Sequence, residues 1–163
     1  MIKMLRVDDR LIHGQVAMTW TSFLGADTLV VACDKHAKDQ FLGMALNLGK
    51  PPGTVLHILT VADAITYLNN PENNSQKLFV IVPDTSVALE ICKNVAEVKD
   101  VTLGGIRQSG DKKRVERQVF LDQQDFDNCD AMTALGKSVT VRVIPSEKQY
   151  TMSEAKKTFD KAK

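Results

Sequence analysis

The stretch RVDDRLIHGQV, residues 6–16, combines two arginines, two aspartates and one histidine between a strand-like segment and a helical pattern. His13 should therefore lie in the first strand-to-helix loop, where the following Gly14 permits backbone angles that other residues avoid. The amide groups of such a loop, with a helix N-terminus behind them, bind anions well. Because the ring nitrogen of a neutral histidine is nucleophilic, this arrangement suggests phosphoryl chemistry at His13.

The charged neighbours of His13 each have a candidate role. Arg10, three residues before it, is the best placed to stabilise the charge of a phosphoryl group. Arg6 is a weaker candidate, because its place in the strand could point its side chain elsewhere. Asp8 or Asp9 could hold the imidazole and set its tautomer, pair with Arg10, or only cap the loop, and the sequence leaves these alternatives open.

Two other function classes compete for the same segment. Asp8, Asp9 and His13 could hold a metal ion, which would make the protein a metal-assisted hydrolase, although their spacing matches no known metal-binding signature. A nucleotide-binding regulator is the second alternative, and no glycine-rich phosphate fingerprint supports it. A metal-dependent activity would indicate the first alternative, and nucleotide binding would indicate the second.

The composition is that of an ordinary globular protein, with 163 residues, 44% hydrophobic residues, 25% charged residues and a net charge of +1. This charge predicts no binding to nucleic acid or to a membrane surface by electrostatics alone. Cys33, Cys92 and Cys129 are odd in number and far apart, which argues against disulfides and a zinc site and fits a reducing cytoplasm. No apolar run reaches the roughly 18 residues that a membrane span needs, and the N-terminus does not look like a signal peptide.

Short β-branched runs alternate with longer helical patterns along the chain. We predict strands over residues 2–7, 28–33, 54–59, 77–82, 101–103, 118–121 and 139–144. Helices are predicted over 14–24 and 35–48, after Thr60, from Asp84 or Thr85 to about Val95, from Asp122 to Gly136, and after Pro145, starting near Ser146 or Thr151. The charged run 111–117 is predicted to be a solvated face.

This alternation indicates right-handed crossover connections and a mostly parallel sheet. We therefore expect an α/β fold in which one domain, residues 1–163, forms a three-layer sandwich around about seven strands. Ligands bind beyond the carboxyl ends of the strands in such sheets, so function should lie at the edge that carries His13.

Several other residues have an ordinary structural interpretation. Trp20 lies on the apolar stripe of the first helix and should belong to the core, as should Cys33. His36 is interpreted as a surface histidine at a helix start, and His57 as a satisfied or half-exposed strand residue.

The run RVDDRLIHGQV, followed by Trp20, closely resembles the active-site segment of component IIB in the mannose/sorbose family of bacterial sugar phosphotransferase systems. That family typically shows the pattern R-[IV]-D-D-R-L-I-H-G-Q-V. Other segments resemble the family in the same order, namely VACDKHAKD, GKPPGTVLHILTVADAI, LGGIRQSGDKK and VIPSEK. The similarity covers essentially the whole chain, and the first motif is long enough to be specific.

The resemblance implies a phosphoryl carrier. His13 matches the histidine that takes a phosphoryl group, through Nδ1, from a phosphohistidine of component IIA. It then passes the group to a sugar that the membrane components IIC and IID bring across. The resemblance implies no metal or other cofactor and no nucleic-acid partner. It also implies an antiparallel edge strand in the sheet, and a cytoplasmic protein held at the inner face of the membrane through IIC and IID.

The resemblance and the positions together give candidate phosphate-binding and partner-binding residues: Leu11, Ile12, Gly14, Gln15, Gly104, Gly105 and Arg107. Leu11 and Ile12 are expected to offer apolar contacts to IIA. Paired glycines at a strand end could bring backbone close to a ligand or form a plain turn. Arg107 could be a second phosphate ligand or part of the IIA surface.

Two loops depart from the commonest family pattern, namely Ile106–Arg107 after the glycine pair and VPDT after the fourth strand. They leave partner contacts and the sugar open, but not the carrier chemistry. N-acetylgalactosamine or a related hexose is slightly favoured over mannose, fructose and sorbose.

Overall fold

The computed structural model describes residues 1–163, and its strands largely follow the predicted pattern. The strands are β1 (Ile2–Asp8), β2 (Thr28–Ala32), β3 (Val55–Leu59), β4 (Leu78–Val82), β5 (Asp100–Gly105), β6 (Lys113–Glu116), β7 (Val119–Leu121), β8 (Ser138–Val141) and β9 (Tyr150–Thr151).

Seven α-helices connect these strands, with a short 3-10 helix at Pro71–Asn73. The helices are α1 (Gly14–Leu24), α2 (Asp34–Lys38), α3 (Gln40–Leu48), α4 (Val61–Asn69), α5 (Thr85–Asn94), α6 (Gln123–Ala134) and α7 (Met152–Lys161). None of them is long and apolar enough to cross a bilayer.

The main sheet has seven strands in the order β3-β2-β4-β1-β5-β8-β9. All neighbouring pairs are parallel except β8 and β9, which pair antiparallel at one edge. This confirms the predicted mostly parallel α/β sheet and its antiparallel edge strand. Helices α1 and α3 pack on one face, around a cluster that includes Trp20, while α4, α5, α6 and α7 pack on the other. The sheet therefore lies between two helical layers, with β1 near its centre.

One predicted strand lies outside this sheet. Residues 118–121 contribute β7, which pairs antiparallel with β6 to form a separate two-stranded hairpin, while β9 supplies the seventh strand of the main sheet. The charged run 111–117, predicted as a solvated face, contains β6, whose residues are only partly buried. Charged residues on a two-stranded edge hairpin can remain in water while their backbone is paired. The charged composition of this segment therefore gave no indication of a strand. The predicted strand 139–144 also ends early, because β8 stops pairing with β5 at Val141.

The helix predicted over 35–48 is two helices with a break at Asp39. Asp39 has extended backbone angles, and its side chain accepts a hydrogen bond from the amide of Leu42 at 3.1 Å. Aspartate favours this capping position over a helix interior, so it ends α2 and starts α3. The other helices begin close to their predicted caps, and the last starts after Thr151 rather than Ser146.

A buried polar cluster anchors the β6–β7 hairpin to the helical layer. Lys112, just before β6, lies 2.5 Å from Asp125 Oδ2 and 3.3 Å from Asp122 Oδ2. The hydroxyl of Thr85 donates to the other oxygen of Asp125 at 2.7 Å, and Asn128 donates to Thr85. Asp125 also donates its backbone amide to Asp122 in the capping box of α6. Its carboxylate therefore links α6 to Thr85 of α5 and to Lys112 just before β6.

We expect Asp125→Ala to lower the free energy of unfolding by about 3 kcal/mol, because it removes the shorter of the two ion pairs of Lys112 and leaves the buried Thr85 hydroxyl without its acceptor. Urea denaturation measures this change. Asp127→Ala, on the exposed side of the same helix, is the matched control and should stay within about 0.5 kcal/mol. Equal effects of the two substitutions would contradict the anchoring role of Asp125.

Candidate active site

The loop between β1 and α1 presents His13 at the carboxyl edge of the sheet. Leu11 adopts a left-handed backbone conformation with φ of 60°, and Gly14 follows with φ of 49°. A non-glycine residue rarely occupies this region, and Leu11 is held there by burial of its side chain. Ile12 is buried in the same core cluster. Both side chains therefore face the core and cannot supply the exposed apolar contacts that we predicted for IIA.

His13 is the N-cap residue of α1 and is partly exposed. No side chain caps the first-turn amides of this helix, and no acidic residue lies in that turn. Unpaired amides at a helix N-terminus carry partial positive charge and favour an anion beside them. The imidazole thus lies next to the unpaired amides at the N-terminus of α1.

A carboxylate fixes the orientation of the imidazole. Nε2 of His13 lies 2.8 Å from Oδ2 of Asp8, whose side chain is completely buried. A carboxylate can only accept, so Nε2 carries the proton and Nδ1 is the nitrogen with a free lone pair. Nδ1 has no hydrogen-bond partner within the chain. Of the roles that the sequence left open for the two aspartates, Asp8 takes the imidazole-orienting one.

Arg6 compensates the buried charge of Asp8. Its Nη2 lies 3.2 Å from the same Oδ2, and both side chains are almost entirely inaccessible. Burial alone would raise the pKa of Asp8, but the hydrogen bond from His13 and the charge of Arg6 outweigh it, so the pKa of Asp8 is lowered. Burial lowers the pKa of Arg6, and its ion pair with Asp8 opposes that effect. Asp8 is therefore a carboxylate in the folded protein.

Arg6 is held in turn by the segment after β8 and by helix α1. Its Nη1 donates to the carbonyl of Arg142 at 3.2 Å, and its guanidinium lies 5.4 Å from the centre of the Trp20 ring. The indole of Trp20 donates to the carbonyl of Val143 at 2.9 Å, and Trp20 is buried as predicted. The segment after β8 and helix α1 thus fix the arginine that supports Asp8.

The glycine pair makes room for these two charged side chains. Gly104 and Gly105 end strand β5, which excludes the plain turn that we had considered. A Cβ atom on Gly104 would lie 1.8 Å from Nη1 of Arg6, and one on Gly105 would lie 2.8 Å from Oδ1 of Asp8. Any side chain at either position would occupy the space of the buried ion pair. The pair therefore contacts Arg6 and Asp8.

Arg10 lies at the mouth of the site. Its backbone amide donates to Oδ1 of Asp8 at 3.0 Å, and its Nη2 donates to Oε1 of Gln118, on the hairpin, at 3.2 Å. It forms no ion pair with Asp8 or Asp9. Gln118 therefore holds a guanidinium whose charge no carboxylate neutralises.

Asp9 joins two loops at the same edge. Its Oδ2 accepts from the backbone amide of Arg107 at 2.8 Å and from Nε of Arg107 at 3.3 Å. Its backbone amide donates to the carbonyl of Gly105 at 2.8 Å. Asp9 thereby positions Arg107, whose side chain is mostly exposed, and takes no part in holding His13.

These contacts do not leave a set of metal ligands. The oxygens of Asp8 bind Arg6, Arg10 and His13, while Asp9 faces Arg107, so the three residues proposed for a metal do not converge. No group of three or more histidine, cysteine, aspartate or glutamate side chains in the protein could hold a metal ion. The geometry therefore gives no support to the alternative of a metal-assisted hydrolase.

The remaining histidines lie away from this arrangement. His36 is partly buried in α2, and its Nδ1 lies 3.3 Å from the thiol of Cys33. Burial and the nearby Lys35 lower the pKa of His36. His57 is half-buried in β3 and packs against the ring of Tyr67 at a centroid distance of 4.9 Å. Neither has a buried carboxylate to orient it as Asp8 orients His13.

Comparison with known proteins identifies the family of this chain. The family model described as "PTS system sorbose subfamily IIB component" matches residues 2–163. The chain belongs to this family of IIB components of the sugar phosphotransferase system. IIB components are phosphotransferases, so the family membership supports a phosphotransfer role for the chain.

Individual relatives align with nearly the whole length of this chain. A probable phosphotransferase enzyme IIB component from Streptococcus pyogenes serotype M6 is 33% identical over 160 residues, covering 94% of this chain and 98% of that protein. The mannose-specific EIIAB component of Escherichia coli K12 is 28% identical, over 98% of this chain and 50% of that protein. The IIBSor domain of the Klebsiella pneumoniae sorbose permease has the same fold, with a TM-score of 0.90, 24% identity and 96% of each chain covered.

Sequence reasoning missed two residues of the site. Arg6 was ranked below Arg10, although an arginine inside an apolar strand is itself a signal, since a buried charge requires a partner. Gln118 had no local signal, because its contact with Arg10 spans 108 positions of the chain. Long-range pairing of this kind follows only from the placement of the hairpin.

The ionised state of Asp8 should be visible in the stability of the protein. Because its pKa is lowered on folding, its contribution is complete above the ordinary carboxyl pKa of 3.8 and is lost as the pH falls through the folded value. We expect Asp8→Asn to lower the free energy of unfolding at pH 7 by about 3 kcal/mol, since it leaves buried Arg6 unpaired. The difference from wild type should shrink as the pH falls below 3.8.

Urea denaturation over a pH series measures this difference. Asp130→Asn, at an exposed position of α6, is the control and should reproduce the wild-type pH dependence. A difference between Asp8→Asn and wild type that stays constant down to low pH would show that Asp8 is not a stabilising carboxylate.

Proposed function

We propose that this protein carries a phosphoryl group on Nδ1 of His13, between component IIA of a sugar phosphotransferase system and a sugar. The observation that supports this most directly is the contact between Nε2 of His13 and buried Asp8. It leaves Nδ1 as the unprotonated nitrogen of a partly exposed ring at a helix N-terminus.

In the first transfer, the lone pair of Nδ1 attacks the phosphorus of the phosphohistidine on IIA. The new N–P bond forms as the N–P bond of the donor breaks, and Nε2 keeps its proton throughout. The positive charge that develops on the imidazole faces the carboxylate of Asp8. The phosphoryl oxygens meet the free amides of α1 and the guanidinium of Arg10, which are donors suited to the charge of the transition state.

In the second transfer, a sugar hydroxyl attacks the phosphorus as the N–P bond to His13 breaks. The electron pair of that bond returns to Nδ1, so the ring leaves as the neutral tautomer whose Nε2 proton faces Asp8. The hydroxyl proton is released on the acceptor side, because in-line attack places the hydroxyl opposite the departing Nδ1. These steps need only groups of this chain, the donor and the acceptor, so we propose no cofactor.

Arg6 acts in this scheme as a positioning residue. Without its charge, buried Asp8 would tend to take up a proton and could no longer accept from Nε2. The ion pair thereby favours the tautomer with its lone pair on Nδ1, although Arg6 itself does not reach the phosphoryl group.

The proposed partners are IIA as donor and the membrane components IIC and IID, which hold the sugar. We propose that the protein acts in the cytoplasm, at the inner face of the membrane, as a protein-Nπ-phosphohistidine–sugar phosphotransferase. The name of the E. coli EIIAB relative, which couples an A and a B component, supports IIA as the donor. Because Leu11 and Ile12 are buried, the exposed residues around His13 that we propose for partner contact are Arg10, Gly14, Gln15 and Arg107.

The first test is phosphorylation of His13. The protein is incubated with phosphoenolpyruvate, the general phosphotransferase proteins and a family IIA, and the modified residue is located by mass spectrometry. We expect one acid-labile phosphoryl group on His13, and none on His13→Gln, which has no nucleophilic nitrogen. His36→Gln is the matched control and should be labelled like wild type.

Circular dichroism of the His13→Gln variant verifies that it is folded. Labelling of His36 or His57 in place of His13, or no label with a IIA that phosphorylates a known IIB, would refute the proposal.

Arg10→Ala should slow phosphoryl transfer to His13 by about tenfold to a thousandfold, since it removes a guanidinium that meets the developing charge. Rapid-quench measurement of labelled protein gives the rate, and Arg114→Ala, an exposed arginine on β6, is the control. An unchanged rate for Arg10→Ala would remove Arg10 from the transfer step.

A further inference from the structure

A pocket of about 270 Å³ lies beside the active loop, between the strand ends and the β6–β7 hairpin. Arg10 reaches it from the loop after β1, Arg107 from the segment after β5, and Arg117 and Gln118 from the hairpin. His13 does not line it. The pocket therefore adjoins the phosphoryl acceptor and shares Arg10 with it.

The pocket carries a net positive charge. Arg107 is paired with Asp9, and Arg117 lies 2.6 Å from Glu147 in a partly exposed ion pair. Exposed pairs of this kind contribute little, so each guanidinium can exchange its partner for a ligand. Arg10 has only the neutral amide of Gln118. Three arginines therefore line the pocket with only two carboxylates to pair them, which favours an anionic ligand.

The pocket also offers neutral hydrogen-bonding groups. Since Oε1 of Gln118 accepts from Arg10, its NH2 group is left as a donor. Gln108 donates through Nε2 to the carbonyls of Gly110 and Lys112, which leaves its Oε1 as an acceptor. Ile106 and Phe120 add apolar surface. A simple phosphate or carboxylate ion would pair with the arginines but would not contact the two glutamine side chains or the apolar surface.

We propose that this pocket binds a phosphorylated hexose, the product class of the transfer to sugar. The inference rests on the proposed function. The phosphate would replace the weak partners of Arg117 and Arg10, and the hydroxyls of the ring would pair with Gln118 and Gln108. The volume lies near the lower end of the range for small-ligand pockets, which suits one monosaccharide phosphate.

Because the pocket ligand and the phosphoryl group on His13 both use Arg10, a ligand in the pocket inhibits phosphorylation of His13. A hexose phosphate in the pocket holds Arg10 away from the phosphoryl group that His13 must accept. Accumulated product therefore slows the next phosphorylation of His13 by IIA, which couples carrier turnover to removal of the product.

The binding test is NMR titration of the full-length protein with mannose 6-phosphate, mannose and inorganic phosphate, at matched ionic strength. We expect mannose 6-phosphate to shift the amide signals of 106–108 and 117–120, with a Kd on the order of 1 mM. Mannose and inorganic phosphate should bind at least about tenfold more weakly, because each lacks half of the contacts. Equal affinity for inorganic phosphate, or shifts confined to the His13 loop, would overturn the proposal.

Three variants locate the site. Arg117→Gln should weaken binding of mannose 6-phosphate about tenfold by removing one charge-assisted contact. Arg114→Gln makes the same charge change on the exposed side of the hairpin and should leave the Kd unchanged. Glu147→Gln frees Arg117 from its ion pair and should tighten binding. If Glu147→Gln weakens binding as Arg117→Gln does, the ion pair merely supports the hairpin and the proposed site is wrong.

The regulatory consequence is measured as a ratio of His13 phosphorylation rates with and without mannose 6-phosphate. The ratio should fall for wild type and for Arg114→Gln, and should stay near one for Arg117→Gln. Equal slowing of all three proteins would overturn the inhibition. Normal labelling of His13 with no ligand binding would overturn only the pocket, whereas absence of labelling would refute the carrier function itself.

Discussion

The buried ion pair between Arg6 and Asp8 is the interaction on which the site depends. A carboxylate without solvent is stable as an anion only with compensating charge and hydrogen bonds. Arg6, His13 and the amide of Arg10 supply them. Once Asp8 is an anion, it can only accept, so the proton of the imidazole resides on Nε2. The nitrogen that we propose as the nucleophile of His13 is thus selected by the charge of a buried arginine.

The sheet makes this arrangement possible because β1 lies between β4 and β5. A central strand is covered on both sides, so alternate side chains such as Arg6 and Asp8 must be accommodated inside the protein. The glycines at the end of β5 provide that space, and Trp20 of α1 closes it. The site is therefore built into the core, and a side chain at Gly104 or Gly105 would occupy the space of the Arg6–Asp8 ion pair.

The β6–β7 hairpin adds a second wall to the carboxyl edge. Its two strands lie outside the strand order of the main sheet, but backbone hydrogen bonds of Ile106 with Gln118 and Phe120 join β7 to the end of β5. The cluster of Lys112 with Asp122 and Asp125 ties the hairpin to the helical layer. From this anchored position the hairpin brings Gln118 to Arg10 and Arg117 to the segment after β8. The arginine that would meet the phosphoryl group thus also faces a cationic pocket. In our proposal the phosphoryl group on His13 and the ligand of the pocket both use the guanidinium of Arg10, and this is the physical basis of the proposed coupling.

Much of the fold could be predicted because it depends on local pattern. Apolar runs, alternating periods and capping residues indicated the parallel sheet, most helices and the loop that carries His13. Local pattern failed where the hydrogen-bond partners were distant or the residues were polar. The two-residue strand β9 has too few residues to show a period, and β6 is a charged segment paired only with its neighbour. At Asp39, a single capping side chain divided an otherwise continuous helical pattern.

The sequence by itself determined that His13 follows a strand, precedes a helix N-terminus and has carboxylates and arginines nearby, and its motif indicated the family. Only the tertiary structure decided which carboxylate holds the ring, that Arg6 supports it, and that Leu11 and Ile12 are buried. The reason is that these roles depend on side-chain direction and burial. Both are set by packing against β5, α1, the hairpin and the segment after β8, where Arg142 lies 136 positions from Arg6 along the chain.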